Sequence, residues 1–257
     1  MTTPIISLTT DFGRSDGYVG TMEGVIYGIC PAARIAHLSH QIPPQDIRAG
    51  AFVLYQSFGY FPAHAVHCVV VDPGVGSQRR AVAVQTDMGT FVAPDNGVLS
   101  LVLQVAPARQ AVALTNPAYQ LPRLSSTFHG RDIFSPAAAH LAAGVPLAEL
   151  GPVVTDLVRL ELLSPPGAGQ SRVIHVDHFG NLVLGLTAAQ IPDAAALRVV
   201  AGEAVIGPLR RTFAEVPEGE LLAYIGSSRD HVEIAVRNGN AARRLGLKPG
   251  DVVAIEF

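Results

Sequence analysis

Two patterns of hydrophobic and polar positions divide the chain. Residues 1–163 alternate short apolar runs with segments in which apolar residues recur every three or four positions, the spacing of a helix with one buried face. Residues 172–257 contain short apolar runs punctuated by glycine and proline, which are typical of antiparallel strands. The first pattern predicts an α/β domain with a central sheet flanked by helices, and the second predicts a smaller all-β barrel domain. Between them, 164–171 (SPPGAGQS) has the composition of a linker.

The predicted helices of the first domain are 18–29, 46–58, 97–104 and 132–143. Pro31 ends the first helix, and Asp46 occupies the N-cap position of the second. The predicted strands of this domain are 5–9, 34–38, 65–71, 81–86 and 90–93. Those of the second domain are 172–176, 182–186, 197–201, 221–225, 232–236 and 252–257.

Composition restricts the possible partners. Hydrophobic residues make up 49% of the 257 positions, enough for a large core, and charged residues only 15%, below the usual quarter. We therefore expect oligomerisation to cover part of the surface. The net charge is −3 and no run of basic residues occurs, so nucleic acid is not an expected partner.

The cysteines and the N-terminus indicate a cytoplasmic protein. Cys30 and Cys68 are too few for a disulfide scaffold, and we expect both to be buried thiols in a reducing compartment. The first residues, MTTPIISLTTDFG, lack the basic region and the long apolar run of a signal peptide. The apolar runs are shorter than the roughly 20 residues that span a bilayer, so no membrane partner is expected.

The most informative stretch places a carboxylate at the end of an apolar strand. Residues 69–71 (VVV) lead into Asp72, the turn residues PGVG follow, and Arg79 and Arg80 precede the next apolar run. Loops at strand ends commonly carry catalytic groups, and guanidinium groups nearby would hold such a carboxylate in place. The alternative interpretation is a β-turn with a surface ion pair.

Other carboxylates follow or precede predicted elements. Asp11, in TDFG, follows the first strand at the edge where α/β sheets bind ligands, and its oxygens suit the paired hydroxyls of a ribose. Asp16 precedes the first helix, where it is either a binding residue or simply the N-cap. The sequence Asp95-Asn96-Gly97 favours a turn before a helix over a functional role.

His129 lies within SSTFHGRD, residues 125–132. A histidine beside glycine, just before a predicted helix, is poorly placed for core packing. Because it lies among hydroxyl and charged groups, we interpret it as functional. Arg131 and Asp132 either pair with each other or cap the helix.

The second domain carries three polar turns. The asparagine of HVDHFGN (175–181) offers both a donor and an acceptor, which suits the edge of an adenine. The arginine of SSRD (227–230) suits bidentate binding of a carboxylate. The backbone of RNGNA (237–241) is a further candidate to face a base. Together the turns predict recognition of an amino acid that carries an adenosine, although each is also explained as a turn alone.

Motifs that are missing narrow the chemistry. The sequence contains no HExxH and no Cys/His pair at zinc spacing, so we expect no catalytic metal. It also lacks a P-loop, GxGxxG and GxSxG. The absence of these motifs argues against the common classes of nucleotide-binding proteins, dinucleotide-binding proteins and serine hydrolases. The side chains that remain possible metal ligands are Asp11, Asp72, His129, His175, Asp177 and His178.

These clusters occur in an order typical of one family. They read TDFG (10–13), DGYVG (16–20), VVVDPGVGSQRR (69–80), APDNG (93–97), STFHGRD (126–132), HFGN (178–181), SSRD (227–230) and RNGNAA (237–242). With these motifs, which span nearly the whole chain, the sequence resembles the S-adenosyl-L-methionine (SAM) hydroxide adenosyltransferases. Those enzymes are adenosine-forming SAM hydrolases, and they are related to the bacterial fluorinase and chlorinase.

The resemblance implies an N-terminal α/β domain, a C-terminal β barrel, and a homotrimer that holds SAM between the N-terminal domain of one subunit and the C-terminal domain of the next. The family's catalytic residues correspond to Asp72, Arg79 and His129. The implied substrate-binding residues are Asp11 for the ribose, Asn181 and Phe179 for the adenine, and Asp16, Asp177, Ser228 and Arg229 for the methionine moiety. No single adenine contact is assigned within 237–241.

Two departures from the halogenases point to water as the nucleophile. Asp72 replaces a tyrosine of the halogenases, and Gly130 replaces a halide-contacting serine of the fluorinase. A carboxylate repels a halide more strongly as the site becomes drier, yet it accepts a hydrogen bond from water. The expected activity is therefore hydrolysis of SAM, which is a substrate and not a cofactor. The alternatives are a SAM-dependent halogenase and a SAM- or adenosine-binding protein without turnover.

Overall fold

The computed structural model describes residues 2–257. Contacts divide the chain after Leu160 into two compact units. Residues 161–163, which we assigned to the first domain, fall in the second unit, and the last two residues of the predicted linker, Gln170 and Ser171, already belong to a strand. The first unit combines strands and helices, whereas the second is built mainly of strands.

The strands of the first unit are β1 (Ile5–Thr10), β2 (Arg34–Ser39), β3 (Val66–Val70), β4 (Ala81–Thr86), β5 (Gly89–Pro94) and β6 (Gln110–Ala113). Its α-helices are α1 (Tyr18–Ile29), α2 (Ile47–Ser57), α3 (Val102–Val105) and α4 (Ser135–Ala142). The five predicted strands and the first two predicted helices are confirmed to within one residue at each end. The short strand β6 was not predicted.

The two long helices form for reasons visible in the sequence. In α1 the buried Val19, Met22 and Ile26 recur at helical spacing. Asp46 caps α2, since its carboxylate accepts the backbone N–H of Ala49 at 2.9 Å. The N-cap of α1 is Gly17, without a side-chain hydrogen bond, so Asp16 does not cap this helix.

The sheet topology determines where a ligand can approach. The strand order is β2-β1-β3-β5-β4-β6, in which β2, β1, β3 and β5 are parallel and β4 is antiparallel to both of its neighbours. The chain passes from β1 to β2 on one side and then crosses to β3 on the other. The order therefore reverses between β1 and β3, and ligands bind at such switch points, beyond the carboxyl ends of the strands.

Helices cover both faces of this sheet. The core on one face joins the apolar side chains of β1 and β3 to α1 and α4. On the other face Phe58, which follows α2, packs edge-on against His67 of β3. The α2 backbone itself comes close to the sheet, because a Cβ on Gly50 would lie 2.9 Å from Val71 Cγ2.

The predicted helix 97–104 is wrong for most of its length, because a side chain holds the backbone in a turn. Asn96 Oδ1 accepts the N–H of Val98 at 3.1 Å, and Asn96 Nδ2 donates to the carbonyl of Val71 at 2.9 Å. Gly97 adopts φ +93°, outside the helical region. Helix forms only at α3, which begins at Val102.

The predicted helix 132–143 is two helices in the structure. A π-helix covers Gly130–Phe134, and α4 follows from Ser135. Pro136 has no N–H to donate to the carbonyl of Asp132. That carbonyl instead accepts the N–H of Leu121 at 2.9 Å.

The second unit is an eight-stranded sheet in the order β10-β9-β14-β7-β8-β13-β12-β11. The strands are β7 (Gln170–Val176), β8 (Leu182–Thr187), β9 (Arg198–Ala201), β10 (Ala204–Ile206), β11 (Leu209–Arg210), β12 (Leu221–Ile225), β13 (His231–Val236) and β14 (Val252–Glu256). Because β10 and β12 also contact each other, the sheet curls around one apolar core, in agreement with the predicted barrel-like domain. The short β10 and β11, and the helix α5 (Ala241–Leu245), were not predicted.

None of the helices formed by residues 2–257 is both long enough and apolar enough to cross a membrane.

Candidate active site

Asp11 and Asp72 lie on either side of the switch point. Thr10, the last residue of β1, is in register with Val70, the last residue of β3. Asp11 and Asp72 therefore follow adjacent parallel strands at their carboxyl ends. This is the position at which an α/β sheet presents side chains to a ligand.

Arg79 joins Asp72 to His129. Its Nε lies 2.8 Å from Asp72 Oδ1 and 3.0 Å from Oδ2, and its Nη2 also donates to Oδ2. The same Nη2 lies 2.8 Å from His129 Nδ1. The side chains of Asp72 and Arg79 are 5% and 10% exposed, so the alternative of a surface ion pair is wrong.

The tautomer of His129 follows from this contact. A guanidinium has donors only, so Nδ1 must accept and the proton of the neutral ring must be on Nε2. Burial, the largest influence, lowers the pKa of His129 below 6.5, and the positive charge of Arg79 lowers it further. The charges of Asp72 and Asp132 and the carbonyl of Ser125 raise it by less. His129 is therefore neutral near pH 7.

Glycine allows the turn after Asp72 to meet the loop before His129. Gly76 has φ +77°, which suits glycine, and a Cβ there would collide with the carbonyl oxygen of Ser126. Ser77 Oγ closes the same turn by donating to the carbonyl of Gly74 at 2.7 Å. A side chain at position 76 would separate the two loops and with them Arg79 and His129.

Asp132 anchors the loop that carries His129. Its fully buried carboxylate accepts the N–H of Ser125 at 2.6 Å and the Nε of Arg131 at 2.6 Å. The pairing of Arg131 with Asp132, one of the two alternatives for these residues, is thus confirmed. His129 lies at the N-terminus of the π-helix, a type of helix that is frequent at functional sites.

Aromatic rings pack beside Arg79 and the loop that carries His129. Phe12, Tyr18 and Phe128 form a cluster with ring centroids 5.2 to 5.8 Å apart. A Cβ on Gly130 would lie 3.3 Å from the rings of both Phe12 and Phe128, closer than most side-chain contacts. The guanidinium of Arg79 also lies over the ring of Phe134, 5.1 Å from its centroid, a favourable cation–π distance.

The carboxylate of Asp11 is held by the backbone of Gln45, which is itself strained. Its Oδ2 accepts the N–H of Gln45 at 2.8 Å. Gln45 adopts φ +68°, which residues other than glycine rarely do. A carboxylate accepts several hydrogen bonds, so Asp11 keeps lone pairs for a ligand.

Asp16 is exposed, and Ser15 Oγ donates to it at 3.5 Å. With Arg14, Glu23, His37 and His40 it lines a cavity of about 260 Å³ next to the Asp11 loop. Asp16 therefore lines a cavity together with charged and histidine side chains, and it does not cap the helix.

The neighbouring arginine has a structural role. Arg80 Nε and Nη2 lie 2.9 and 2.5 Å from Asp95 Oδ2, and Arg80 Nη1 lies 2.7 Å from Asp156 Oδ1. Asp95 also accepts the N–H of Val158 at 2.8 Å. These bonds tie strand ends to a following segment, in line with the turn interpretation of Asp95-Asn96-Gly97.

In the second unit, Asp177 organises the turn between β7 and β8. Its Oδ1 accepts the N–H groups of Phe179 and Asn181 at 2.9 and 2.8 Å, and its Oδ2 accepts Asn181 Nδ2 at 2.8 Å. Phe179 is 71% exposed, whereas Asn181 is buried. Asn240 packs against Gly180, so the turns 177–181 and 237–241 lie together.

The loop between β12 and β13 carries Ser228 and Arg229. Arg229 and Asp230 both have positive φ, at +53° and +58°. Ser228 is hydrogen-bonded to Glu233, a buried carboxylate to which Tyr224 also donates. Burial raises the pKa of Glu233, the two hydroxyl groups oppose this rise, and the charge of Asp177 adds to it. Glu233 thus contacts Ser228 and is near enough to Asp177 for their charges to interact.

Three residues that contact the predicted site residues were not themselves predicted from the sequence. Gln45 acts through its backbone and Phe134 through its ring, and neither residue type signals such a role. Glu233 had one available signal, a carboxylate within an otherwise apolar strand. Among residues 2–257, no group of three or more histidine, cysteine or acidic side chains is arranged to hold a metal ion.

Comparison with known proteins identifies the family. Residues 6–151 and 171–254 match the N-terminal and C-terminal domain models of the SAM hydroxide adenosyltransferases. The chain is 45% identical over 260 residues to the (R)-S-adenosyl-L-methionine hydrolase of Salinispora arenicola, with 98% of each chain covered. It is 26% identical to a fluorinase of an Actinoplanes species, over 98% of this chain and 97% of the relative. A crystal structure of an uncharacterized conserved protein from Thermotoga maritima superposes with a TM-score of 0.91 and 35% identity, over 97% of this chain and 99% of that one. The predicted resemblance is confirmed, and this chain belongs to the SAM hydroxide adenosyltransferase family.

Proposed function

We propose that this protein hydrolyses SAM to adenosine and L-methionine with water as the nucleophile. The observation that carries the proposal is the carboxylate of Asp72, fixed by Arg79 beside His129 at the carboxyl end of β3. Family membership and the name of the Salinispora relative support the same reaction.

In the proposed reaction, a water oxygen attacks the ribose C5′ while the C5′–S bond breaks and its electron pair passes to sulfur. The sulfonium leaves as the neutral thioether of methionine, so the reaction needs neither a general acid nor a metal. Asp72 accepts the proton of the water. Holding the water in line with the breaking bond contributes several kcal/mol, by analogy with other well-oriented reactions.

Arg79 and His129 have different tasks in this scheme. Arg79 fixes the carboxylate of Asp72 and also occupies His129 Nδ1, so the neutral ring donates only from Nε2, and the carbonyl of Ser125 competes for that proton. In this scheme the Nε2–H, shared with Ser125, also donates to a lone pair of the water and so orients it. His129 therefore positions the nucleophile, and Asp72 is the base.

Substrate recognition is divided between the two units. We propose that Asp11 binds the ribose hydroxyls and that Asn181, with Phe179, binds the adenine. The methionine carboxylate pairs with Arg229 and Ser228, and its amine lies near a carboxylate. The candidates for that last role are Asp16 and Asp177.

The division of the motifs also suggests an assembly. We propose a homotrimer in which the first unit of one subunit and the second unit of the next form each site. The proposal is supported by the low charged fraction of the chain, 15%, and by family membership.

The reaction is tested by incubating the protein with SAM in water enriched in ¹⁸O. We expect adenosine and methionine, with the label in the 5′-hydroxyl of adenosine, because water attacks C5′. With chloride added at high concentration, we expect no 5′-chloro-5′-deoxyadenosine, since Asp72 repels the anion. A chlorinated product would instead indicate a halogenase, and tight SAM binding without products would indicate a sensor.

Asp72→Asn should reduce turnover about a hundredfold or more, the scale of a lost acid–base group, with little change in SAM affinity. Single-turnover rates and calorimetry measure the two quantities. The matched control is Asp95→Asn, which removes the charge from the adjacent Arg80 pair. We expect the control to lower the unfolding temperature and leave turnover largely intact. Equal rates for wild type and Asp72→Asn would exclude Asp72 as the base.

The ring of His129 should titrate below pH 6.5, because burial and Arg79 lower its pKa. Arg79→Gln removes a positive charge and leaves the negative charge of Asp72 unpaired, and both effects favour the imidazolium. The midpoint, followed by NMR of the ring proton, should therefore rise in this variant. Arg109→Gln, at an exposed arginine, is the control and should leave the midpoint unchanged. A wild-type midpoint above 6.5 would contradict the structure.

Mixing two inactive variants tests the shared site. Asp72→Ala disables the first unit and Arg229→Ala disables the second. In a mixed trimer some interfaces unite an intact first unit with an intact second unit, so activity should return in part after the subunits exchange. The masses of the mixed trimers are verified by native mass spectrometry. Verified mixed trimers without activity would place each site within a single chain.

A further inference from the structure

A chain of polar contacts leads from helix α1 to the Asp11 loop. Glu23 Oε1 lies 3.6 Å from His37 Nε2, and His37 Nδ1 lies 2.7 Å from His40 Nε2. His40 Nδ1 then lies 2.9 Å from Thr10 Oγ1. Neither the sequence motifs nor the proposed mechanism assigns a role to Glu23, His37 or His40.

His40 holds both ends of the segment that presents Asp11. Its side chain contacts the hydroxyl of Thr10, and its backbone carbonyl accepts the N–H of Gly13 at 2.8 Å. The hydroxyl of Thr10 also accepts the N–H of Phe12 at 3.3 Å, which closes a turn with Asp11 in the middle. His40 is 2% exposed, so these contacts are shielded from water.

The direction of the hydrogen bonds depends on which nitrogen of each ring carries the proton. Burial, with the nearby His37 and Arg14, lowers the pKa of His40 to about 4, so this ring is neutral and has one N–H. The carboxylate of Glu23 is too far from His37 Nε2 for a hydrogen bond, but its charge favours a proton on that nitrogen.

With the proton on His37 Nε2, the remaining protons are fixed in turn. His37 Nδ1 becomes an acceptor, so His40 must donate from Nε2 and accept at Nδ1. Thr10 then donates its hydroxyl proton to His40. The oxygen of Thr10 keeps its lone pairs for the N–H of Phe12.

We propose that Glu23, His37 and His40 are positioning residues that set the hydroxyl of Thr10 and thereby hold Asp11 ready to bind the ribose of the substrate. The inference rests on the proposed function, since it takes the nucleoside part of SAM as the ligand of Asp11. It adds a requirement outside the catalytic constellation of Asp72, Arg79 and His129.

The proton positions are tested first, by two-bond ¹H–¹⁵N NMR of the histidine rings at pH 8, where free imidazoles are neutral. We expect both His37 and His40 to carry the proton on Nε2. In Glu23→Ala, a change at a partly exposed side chain, we expect mixed tautomers at both rings. Glu203→Ala, at an exposed glutamate, is the matched control and should leave the spectra unchanged. A proton on His40 Nδ1 in the wild-type protein would overturn the proposal.

The effect on binding is tested with variants of His40. The amide oxygen of asparagine can replace Nδ1 as acceptor, whereas phenylalanine fills the space without an acceptor. We expect His40→Phe to raise the KM for SAM about tenfold, the scale of a lost buried hydrogen bond, with a smaller change in kcat. His40→Asn should stay within about threefold of wild type by the same reasoning. The control His64→Phe, at an exposed histidine, should change neither constant.

Adenosine affinity, measured by calorimetry, separates this proposal from the proposed reaction. We expect Glu23→Ala, which should fold normally, to weaken adenosine binding about threefold or more, on the scale of a weakened hydrogen bond. Unchanged affinity and unchanged tautomers in that variant would overturn the positioning role, even if SAM is hydrolysed. If the tautomers are as expected and adenosine binds but SAM is not hydrolysed, the proposed reaction fails and the positioning role stands.

Discussion

The buried ion pair between Arg79 and Asp72 is the interaction on which the candidate site depends. Removing two charges from water costs several kcal/mol per ion, and attraction offsets this only with good geometry and further hydrogen bonds. Here the guanidinium meets both carboxylate oxygens, His129 Nδ1 and the face of Phe134. Each partner is therefore satisfied only when the others are in place. We therefore expect the proposed catalytic residues Asp72, Arg79 and His129 to act as one unit and not as three independent side chains.

Strained backbone occurs in the loops proposed to bind the substrate around this unit. The residues other than glycine that adopt left-handed φ are Gln45, Arg229, Asp230 and Asn238. All four lie in loops that carry or contact proposed substrate-binding groups. Such conformations cost of order 1–3 kcal/mol each and persist only where the surroundings enforce them. Backbone strain of this kind, among residues 2–257, is thus found where recognition is proposed.

The sequence predicts the regular elements well because their signals are local. The helix 18–29 and the strands 81–86 and 221–225 have the predicted bounds, since apolar spacing alone defines them. The prediction fails where a distant group decides the backbone. Asn96 reaches the carbonyl of Val71, and the carbonyl of Asp132 accepts from Leu121 because Pro136 cannot donate. The partners of the first bond are 25 positions apart, and local apolar spacing does not reveal either bond.

The site shows the same limit. The sequence shows that a carboxylate, a guanidinium and an imidazole lie near the ends of predicted elements, at Asp72, Arg79 and His129. The family motifs support the choice of these three residues. The bridge through a single Nη2, however, requires that the turn at Gly76 rest on the carbonyl of Ser126. This contact joins segments about fifty residues apart, and only the folded chain reveals that Arg79 contacts both of the other residues.

The same packing gives a physical reason for a site that favours water. Next to His129, the rings of Phe12 and Phe128 leave little room for a side chain at position 130, so a hydroxyl donor for a halide cannot be added there without moving them. Opposite the guanidinium, Asp72 adds a negative charge in a largely buried setting, where repulsion of an anion is stronger than in bulk water. A neutral water meets neither obstacle. It can donate to Asp72 and accept from His129, whereas a halide can only accept. The selectivity of the proposed reaction would therefore arise from one charge and one missing side chain, both fixed by the contacts that hold Arg79.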